Sequence, residues 1–268
     1  MSPIKVVVHG ALGRVGREVV SALCQQADMH LVGAIDLKAT QNSLPLPDDS
    51  GKVPLSASLE DVIAECQPDV LVDFTLASAV MPTARLAAEK GINLVIGTTG
   101  LKAEDIKELD RLSQVHQIGI VLASNFALGA VLMMHLAKIA AKYFDYAEII
   151  ELHHNRKADA PSGTALSTAR AMVAAKGKPF DLPEQKEAYP SRGEQIDGVT
   201  IHSVRLPGCL AHQEVIFGGA GQTLSIRHDT ISLECFMPGV IMAIKEVTRR
   251  QGLIYGLDAL LGLSKELR

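Results

Sequence analysis

Short apolar runs alternate with segments of helical spacing over the first half of the chain. Five runs rich in Val, Ile and Leu predict strands at 4–9, 30–36, 69–74, 93–96 and 118–123. Helical spacing predicts helices at 14–26, 59–66, 78–90 and 102–114. The polar stretch 37–55, rich in Pro, Ser and Asp, is predicted to be a surface loop. Because near-continuous apolar strands between helices are typical of a parallel sheet covered on both faces, we expect a doubly wound α/β domain.

The pattern changes after about residue 126. The predicted elements that follow are helices at 131–144 and from Ser162, strands at 147–152, 200–205, 212–217 and 223–228, a charged loop at 176–197, and a terminal helix at 240–249. Short strands separated by glycine-containing turns indicate an antiparallel or mixed sheet. We therefore predict an inserted α+β domain over 127–239, and a first domain over 1–126 that is completed by C-terminal helices within 240–268.

Composition and charge narrow the class of protein. The chain has 268 residues, of which 47% are hydrophobic and 21% charged, as in ordinary globular proteins. A net charge of −4 and the absence of tryptophan argue against a general nucleic-acid binder. No signal peptide or membrane-spanning segment is predicted, and the four cysteines are scattered. We expect a cytoplasmic protein with no nucleic-acid or membrane partner.

Three glycines lie where the first predicted strand leads into the first predicted helix. They form Gly10-x-x-Gly13-x-x-Gly16, and Arg14 adds a positive charge. Small residues let the backbone turn tightly and approach a pyrophosphate, which then lies on the helix N-terminus. Asp36 ends the second strand 20 residues after Gly16, where Rossmann-like domains carry the acid that binds ribose. A dinucleotide site is therefore predicted. Asp36 favours NAD, whereas Lys38 could meet the 2′-phosphate of NADP, so the preference stays open.

Two small polar turns follow the fourth and fifth predicted strands. Their sequences are Gly97-Thr98-Thr99-Gly100 and Ser124-Asn125-Phe126-Ala127. Ligands of open α/β sheets bind beyond the carboxyl ends of the strands. Each turn alone is more often a plain loop, but together they are candidates to line a nicotinamide pocket.

A cationic cluster, HHNRK at 153–157, follows the strand predicted at 147–152. Ser162 lies just beyond it at a predicted helix start, with the backbone amides of Gly163 and Thr164 after it. Cations beside a free helix N-terminus form an anion site that suits a small dicarboxylate, and histidine can act there as general acid or base. Metal binding by the paired histidines is the alternative. Neighbours on a strand point to opposite faces and no third ligand is evident, so we predict no metal site.

Several segments together resemble one known family, in order along nearly the whole chain. They are GALGRVG at 10–16, DFT at 73–75, GTTG at 97–100, SNFALG at 124–129, HHNRKADAPSGTA at 153–165, HSVRLPG at 202–208 and AHQEV at 211–215. The chain is similar in these segments to 4-hydroxy-tetrahydrodipicolinate reductases, formerly called dihydrodipicolinate reductases. The segment at 153–165 is the most specific of them.

The resemblance implies an NADH- or NADPH-dependent reductase of the diaminopimelate route to lysine. Such an enzyme is usually a homotetramer, and its second domain carries the substrate loops and the tetramer sheet. The implied substrate is the cyclic dicarboxylate (2S,4S)-4-hydroxy-2,3,4,5-tetrahydrodipicolinate, which loses water while the nicotinamide delivers hydride to carbon 4.

Site residues are carried over by position. His153 resembles the family's acid/base residue and Lys157 the partnering proton donor. The implied substrate-carboxylate binders are His154, Gly163 and Thr164. The implied cofactor contacts are Gly10, Ala11, Leu12, Gly13, Arg14, Val15, Asp36, Gly97, Thr98, Thr99, Ser124, Asn125, Phe126 and Ala127.

Two positions depart from the family pattern. Leu37 stands where a basic residue is common after the acid of the second strand, and Leu233 stands where an arginine is expected. Two other functions stay open on the residues alone. The glycine turn would also serve a dehydrogenase of another small dicarboxylate, such as an aspartate-semialdehyde or oxo-acid relative, or a nucleotide-binding sensor without turnover.

Overall fold

A computed structural model describes residues 2–183 and 190–263. Its strands are β1 (Ile4–His9), β2 (Met29–Ile35), β3 (Ser43–Pro45), β4 (Lys52–Ser56), β5 (Val70–Asp73), β6 (Asn93–Ile96), β7 (Gly119–Leu122), β8 (Tyr146–His153), β9 (Glu194–Ile196), β10 (Val199–Arg205), β11 (Ala211–Gly219), β12 (Gln222–Thr230) and β13 (Gly252–Tyr255). Its α-helices are α1 (Arg14–Cys24), α2 (Leu59–Cys66), α3 (Ala77–Glu89), α4 (Ala103–Val115), α5 (Leu128–Ala141), α6 (Gly163–Lys176), α7 (Met237–Val247) and α8 (Leu257–Leu260).

The contacts divide the chain into two units. Unit 1 comprises the chain up to Leu128 and again from Leu233 onward, and unit 2 comprises Gly129–Ser232. The sequence suggests boundaries at 126/127 and 239/240, so the first junction lies two residues and the second seven residues from the suggested position.

Unit 1 is built on an eight-stranded sheet in the order β13-β7-β6-β5-β1-β2-β4-β3. Every pairing is parallel except that of β3 with β4. The central strands are apolar on both faces because helices cover both sides; Val6, Val7 and Val8, for example, are completely buried. Helices α2, α3 and α4 contribute to one core, while α1 and α7 contact each other outside it. The predicted doubly wound α/β fold is confirmed.

Two parts of unit 1 differ from the sequence-based prediction. The predicted loop 37–55 contains β3 and nearly all of β4, and the edge strand β13 was not predicted. These strands have only three to five residues. Prolines interrupt β3 and β4, at Pro45 and Pro54, and the apolar run of β13 has only three residues. Their hydrogen bonds with neighbouring strands stabilise them instead.

Unit 2 is built on a five-stranded mixed sheet in the order β12-β11-β8-β10-β9. Its central strand β8 pairs in parallel with β10 and antiparallel with β11, which confirms the predicted mixed sheet. Residues from α5 and α6 form one core with the sheet around Ile149 and Phe217, both fully buried. The predicted loop 176–197 contains β9, while its residues 184–189 lie outside the described ranges, as do 264–268 of the predicted C-terminal helices.

Candidate active site

The glycine turn, Gly10–Gly13, joins β1 to α1 at the carboxyl edge of the unit 1 sheet. Gly10 has φ +83°, and a Cβ there would come within 2.6 Å of the Phe74 carbonyl oxygen. A Cβ on Gly16, in the first turn of α1, would come within 2.0 Å of the Gly10 carbonyl oxygen. The backbones of the helix and the turn are therefore in direct contact, and only glycines permit this close approach.

The N-terminus of α1 has features that suit an anion. This helix, described over its whole length, has no side-chain N-cap and no acidic residue in its first turn. It begins instead with the exposed Arg14. A cation at this end opposes the helix dipole unless a bound anion compensates it, so the arrangement suits a pyrophosphate.

Asp36, directly after β2, links that strand to the glycine turn. One carboxylate oxygen accepts a hydrogen bond from the Leu12 amide and the other from the Lys38 amide, both at 2.9 Å. The carboxylate is nearly buried, but its oxygens offer more acceptor sites than these two bonds use. Asp36 can therefore hold the turn and still accept from a ribose hydroxyl. Leu37 beside it is 80% exposed.

The other predicted cofactor turns meet around Asp73 and Phe74 at the ends of β5 and β6. The Thr98 hydroxyl donates to the Asp73 carboxylate at 2.7 Å, and a Cβ on Gly97 would enter the Phe74 ring. The Phe126 ring lies 5.8 Å from the Phe74 ring, centroid to centroid. The structure thus brings the turns at 97–99 and 124–127 to one edge of the sheet.

The residues expected to contact a cofactor differ in their solvent exposure. Among those that are exposed or half-buried are Gly10, Leu12, Gly13, Arg14, Val15, Gly97, Thr99, Ser124 and Asn125. The buried ones are Ala11, Asp36, Thr98, Phe126 and Ala127. Sequence reasoning gave no role to Asp73, which also lies 3.2 Å from the His9 ring. Burial raises the pKa of the Asp73 carboxyl, but bonds with His9, Thr75 and Thr98 outweigh it and lower that pKa.

In unit 2, a buried carboxylate supports the predicted acid/base histidine. Oε2 of Glu151 lies 2.5 Å from Nδ1 of His153, and the Glu151 side chain is 0% exposed. Arg205 on β10 lies opposite His153 in the register and donates to both Glu151 oxygens, at 2.8 and 2.9 Å. Burial raises the pKa of the Glu151 carboxyl, but hydrogen bonds from His153, Arg205 and Ser203 outweigh burial and lower this pKa to about 2. Glu151 is therefore ionised at neutral pH.

The N-terminus of α6 lies beside the same carboxylate. The Ser162 amide donates to Oε1 of Glu151 at 3.1 Å, and the Ser162 hydroxyl caps the helix by accepting from the Ala165 amide at 3.2 Å. Gly163 is exposed, and a Cβ there would meet nothing within 4 Å. The first turn of α6 carries no acidic residue, so its amides are compatible with the anion site that the sequence predicts at Gly163 and Thr164.

His154 and Lys157 lie in the turn between β8 and α6. Nδ1 of His154 is buried and has no hydrogen-bond partner among the described residues. Nζ of Lys157 forms an ion pair with Asp159 at 2.8 Å, and this hydrogen bond lowers the pKa of the Asp159 carboxyl. A buried nitrogen with no partner in the described ranges and an ammonium group paired with an exposed carboxylate both suit an anionic ligand.

Sequence reasoning gave no role to Glu151 and Arg205. One pattern could have indicated Glu151, because residues two apart on a strand face the same side and Glu151 precedes His153 by two. Arg205 is more than fifty residues away in sequence, and only the pairing of β10 with β8 brings it to the site. No cluster of three metal-ligating side chains occurs in the described ranges.

The chain matches two family models that together cover most of its length. Residues 4–126 match "Dihydrodipicolinate reductase, N-terminus", and residues 129–261 match "Dihydrodipicolinate reductase, C-terminus". The chain belongs to the dihydrodipicolinate reductase family. The resemblance carried by the segment at 153–165 is thereby confirmed, and so is the expected class, an NAD(P)H-dependent oxidoreductase.

Relatives within the family cover nearly the whole chain. The 4-hydroxy-tetrahydrodipicolinate reductase of Dehalococcoides mccartyi is 54% identical over 98% of this chain and 100% of its own length. That of Moorella thermoacetica is 49% identical over 97% and 99%. A solved structure, the dipicolinate-bound dihydrodipicolinate reductase from Paenisporosarcina sp. TG-14, is 39% identical and superposes with a TM-score of 0.85, covering 96% of this chain and 98% of that one.

Proposed function

We propose that the protein reduces (2S,4S)-4-hydroxy-2,3,4,5-tetrahydrodipicolinate to tetrahydrodipicolinate in the diaminopimelate route to lysine. The reaction consumes the substrate, NAD(P)H and one proton, and yields the product, NAD(P)⁺ and water. The observation that carries the proposal is the pairing of His153 with the open N-terminus of α6 through Glu151. That pairing joins a proton-transfer group to a carboxylate site. The dipicolinate in the Paenisporosarcina relative is a cyclic dicarboxylate of the same kind.

Each half of the proposed chemistry has its own residues. A bound NADH or NADPH supplies the hydride, and the glycine turn, the N-terminus of α1 and Asp36 fit its pyrophosphate and ribose. In unit 2 the ionised Glu151 can only accept, so Nδ1 of His153 donates to it. Nε2 is then the ring nitrogen that exchanges a proton with the substrate.

We assign the remaining roles by charge. Nζ of Lys157 donates the one proton that the reaction consumes, exchanging its bond with Asp159 for one with the substrate. The Gly163 and Thr164 amides bind one substrate carboxylate, and His154 contributes its unpartnered nitrogen. Residues 127–239 are then the substrate-binding and oligomerisation domain.

We further propose a cytoplasmic homotetramer assembled through the sheet of unit 2. One face of this sheet packs on α5 and α6 through Ile149 and Phe217. Residues of the opposite parity on the same strands, Ile150, Leu152 and Ile216, are only half-buried. A second copy of the chain covering these positions would bury their apolar surface. Light scattering on the purified protein tests this: a monomer at micromolar concentration would contradict it.

Absorbance at 340 nm tests the proposed reaction. The substrate is made fresh from pyruvate and aspartate semialdehyde with dihydrodipicolinate synthase, and NADH is compared with NADPH. We expect rapid oxidation of at least one cofactor in the complete mixture only. Oxidation with aspartate semialdehyde alone would favour a different dehydrogenase. Cofactor binding without oxidation would favour a sensor.

A further inference from the structure

Glu151 forms hydrogen bonds with several groups that the proposed reaction needs. Its Oε2 accepts from Nδ1 of His153 at 2.5 Å and from Nη1 of Arg205 at 2.9 Å. Its Oε1 accepts from Nη2 of Arg205 at 2.8 Å and from the Ser162 amide at 3.1 Å. One fully buried carboxylate therefore touches the acid/base histidine, the first residue before α6 and the guanidinium on the neighbouring strand.

Arg205 extends this cluster to the turn that carries Lys157. Nη2 of Arg205 also donates to the Asp159 carbonyl oxygen at 2.6 Å. Nη1 donates to the carbonyl oxygen of Val204, the preceding residue, at 2.8 Å. Asp159 in turn holds Lys157. The guanidinium thus fixes both the carboxylate of Glu151 and the backbone next to the predicted proton donor.

We propose that Glu151, held by Arg205, is a positioning residue that fixes His153 in the tautomer protonated on Nδ1 and sets the N-terminus of α6 at the same time. The inference deepens the proposed function and rests on it for its kinetic consequence. The tautomer itself is a property of the protein alone. Nε2 of His153 and the free amides of α6 are thereby placed relative to each other by one group.

The role requires a charged acceptor rather than any polar side chain of the same shape. A glutamine at this position would replace one oxygen by an NH₂ group. Because Arg205 donates to both oxygens, either orientation of the amide points an N–H at the guanidinium. The arginine would lose a hydrogen bond in a buried site, and His153 would keep no ionised partner to select its tautomer.

Kinetics of Glu151→Gln test the proposal. We expect kcat to fall about 100-fold, since loss of orientation at a catalytic group has effects of this size, with the NADH dissociation constant changed less than twofold. The matched control is Glu108→Gln, which breaks a bidentate pair with Arg85 on an exposed surface of unit 1. Its kcat should equal that of the wild type. A kcat of Glu151→Gln within threefold of the wild type would overturn the proposal, as would an equal loss of NADH affinity.

Nitrogen-15 NMR of the histidine rings provides a readout that is independent of turnover. Comparison with His153→Ala assigns the His153 signals. In the wild type we expect the neutral His153 ring to carry its proton on Nδ1, and in Glu151→Gln a mixture of tautomers. A wild-type ring protonated on Nε2 would overturn the proposal even if the enzyme is active. If no dicarboxylate is reduced but the Nδ1 tautomer is seen, the positioning role stands and the proposed reaction fails.

Discussion

Replacing Gly16 by alanine would place a methyl group where α1 meets the glycine turn. The added Cβ would lie 2.0 Å from the Gly10 carbonyl oxygen and 2.8 Å from its carbon, whereas ordinary contacts begin at 3.4 Å. Both neighbours are backbone atoms, so no side chain can rotate away. Helix and turn would have to separate by more than an ångström, at the point where the pyrophosphate of a bound dinucleotide is expected.

Two opposing terms decide the effect of this substitution on stability. Alanine is favoured over glycine within a helix by about 1 kcal/mol. Overpacking of this kind costs about 1–3 kcal/mol. We therefore expect a modest loss in the free energy of unfolding. The effect on binding should be larger than this net loss suggests, because the displaced amides are those that would contact the phosphates. An increase of at least about tenfold in the NADH dissociation constant corresponds to about 1.4 kcal/mol.

Isothermal titration with NADH measures this effect directly. Gly91→Ala serves as the control, because Gly91 lies in the same unit at φ +69° and a Cβ there would meet nothing within 4 Å. That variant should lose stability through backbone strain alone and keep its NADH affinity. If Gly16→Ala binds NADH as the wild type does, the close contact between α1 and the turn is not what forms the cofactor site.

Three further predictions concern unit 2. Phe217→Ala removes a fully buried ring from the sheet–helix core and should cost about 3–5 kcal/mol in urea unfolding; a loss below 1 kcal/mol would contradict the core packing. Ser162→Ala removes the cap of α6 and should lower the free energy of unfolding by about 1 kcal/mol. Thr248→Ala, on a surface turn of unit 1, should leave that free energy unchanged, and equal losses in the two variants would argue against the cap. The pKa of Glu151 is depressed from 4.5 to about 2, so its contribution of about 3 kcal/mol is present above pH 4.5 and is lost as the pH falls toward 2. The unfolding free energy of the wild type should therefore fall more steeply over that range than that of Glu151→Gln, and parallel curves would refute the linkage.

Apolar runs predicted the central strands of the fold because those strands are buried on both faces. Val6–Val8 of β1 needs no partner to be identified from sequence. The short strands β3, β4 and β13 could not be identified in this way. Their residues adopt extended structure because a neighbour offers hydrogen bonds, such as those of β13 along β7, which lies more than a hundred residues earlier.

The candidate site also contains residues that local sequence indicates and residues that only the pairing of distant strands brings to it. The glycine turn and the cationic cluster at 153–157 are contiguous in sequence, so residue type and spacing indicate them as candidate sites, whereas the roles of His153 and Lys157 rest on the family resemblance. Arg205 became part of the site only through the register that pairs it with His153. The Asp36 carboxylate also has a contact that spacing alone does not indicate, since it accepts from the Leu12 amide across the strand end.

Transfer of deuterium from NADH labelled with two deuterium atoms at carbon 4 of the nicotinamide tests the proposed reaction most directly. Freshly synthesised (2S,4S)-4-hydroxy-2,3,4,5-tetrahydrodipicolinate is mixed with the labelled cofactor and the enzyme, and the product is analysed by mass spectrometry and NMR. The account predicts one deuterium atom, located on carbon 4 of tetrahydrodipicolinate. Consumption of NADH that leaves this carbon unlabelled would contradict it.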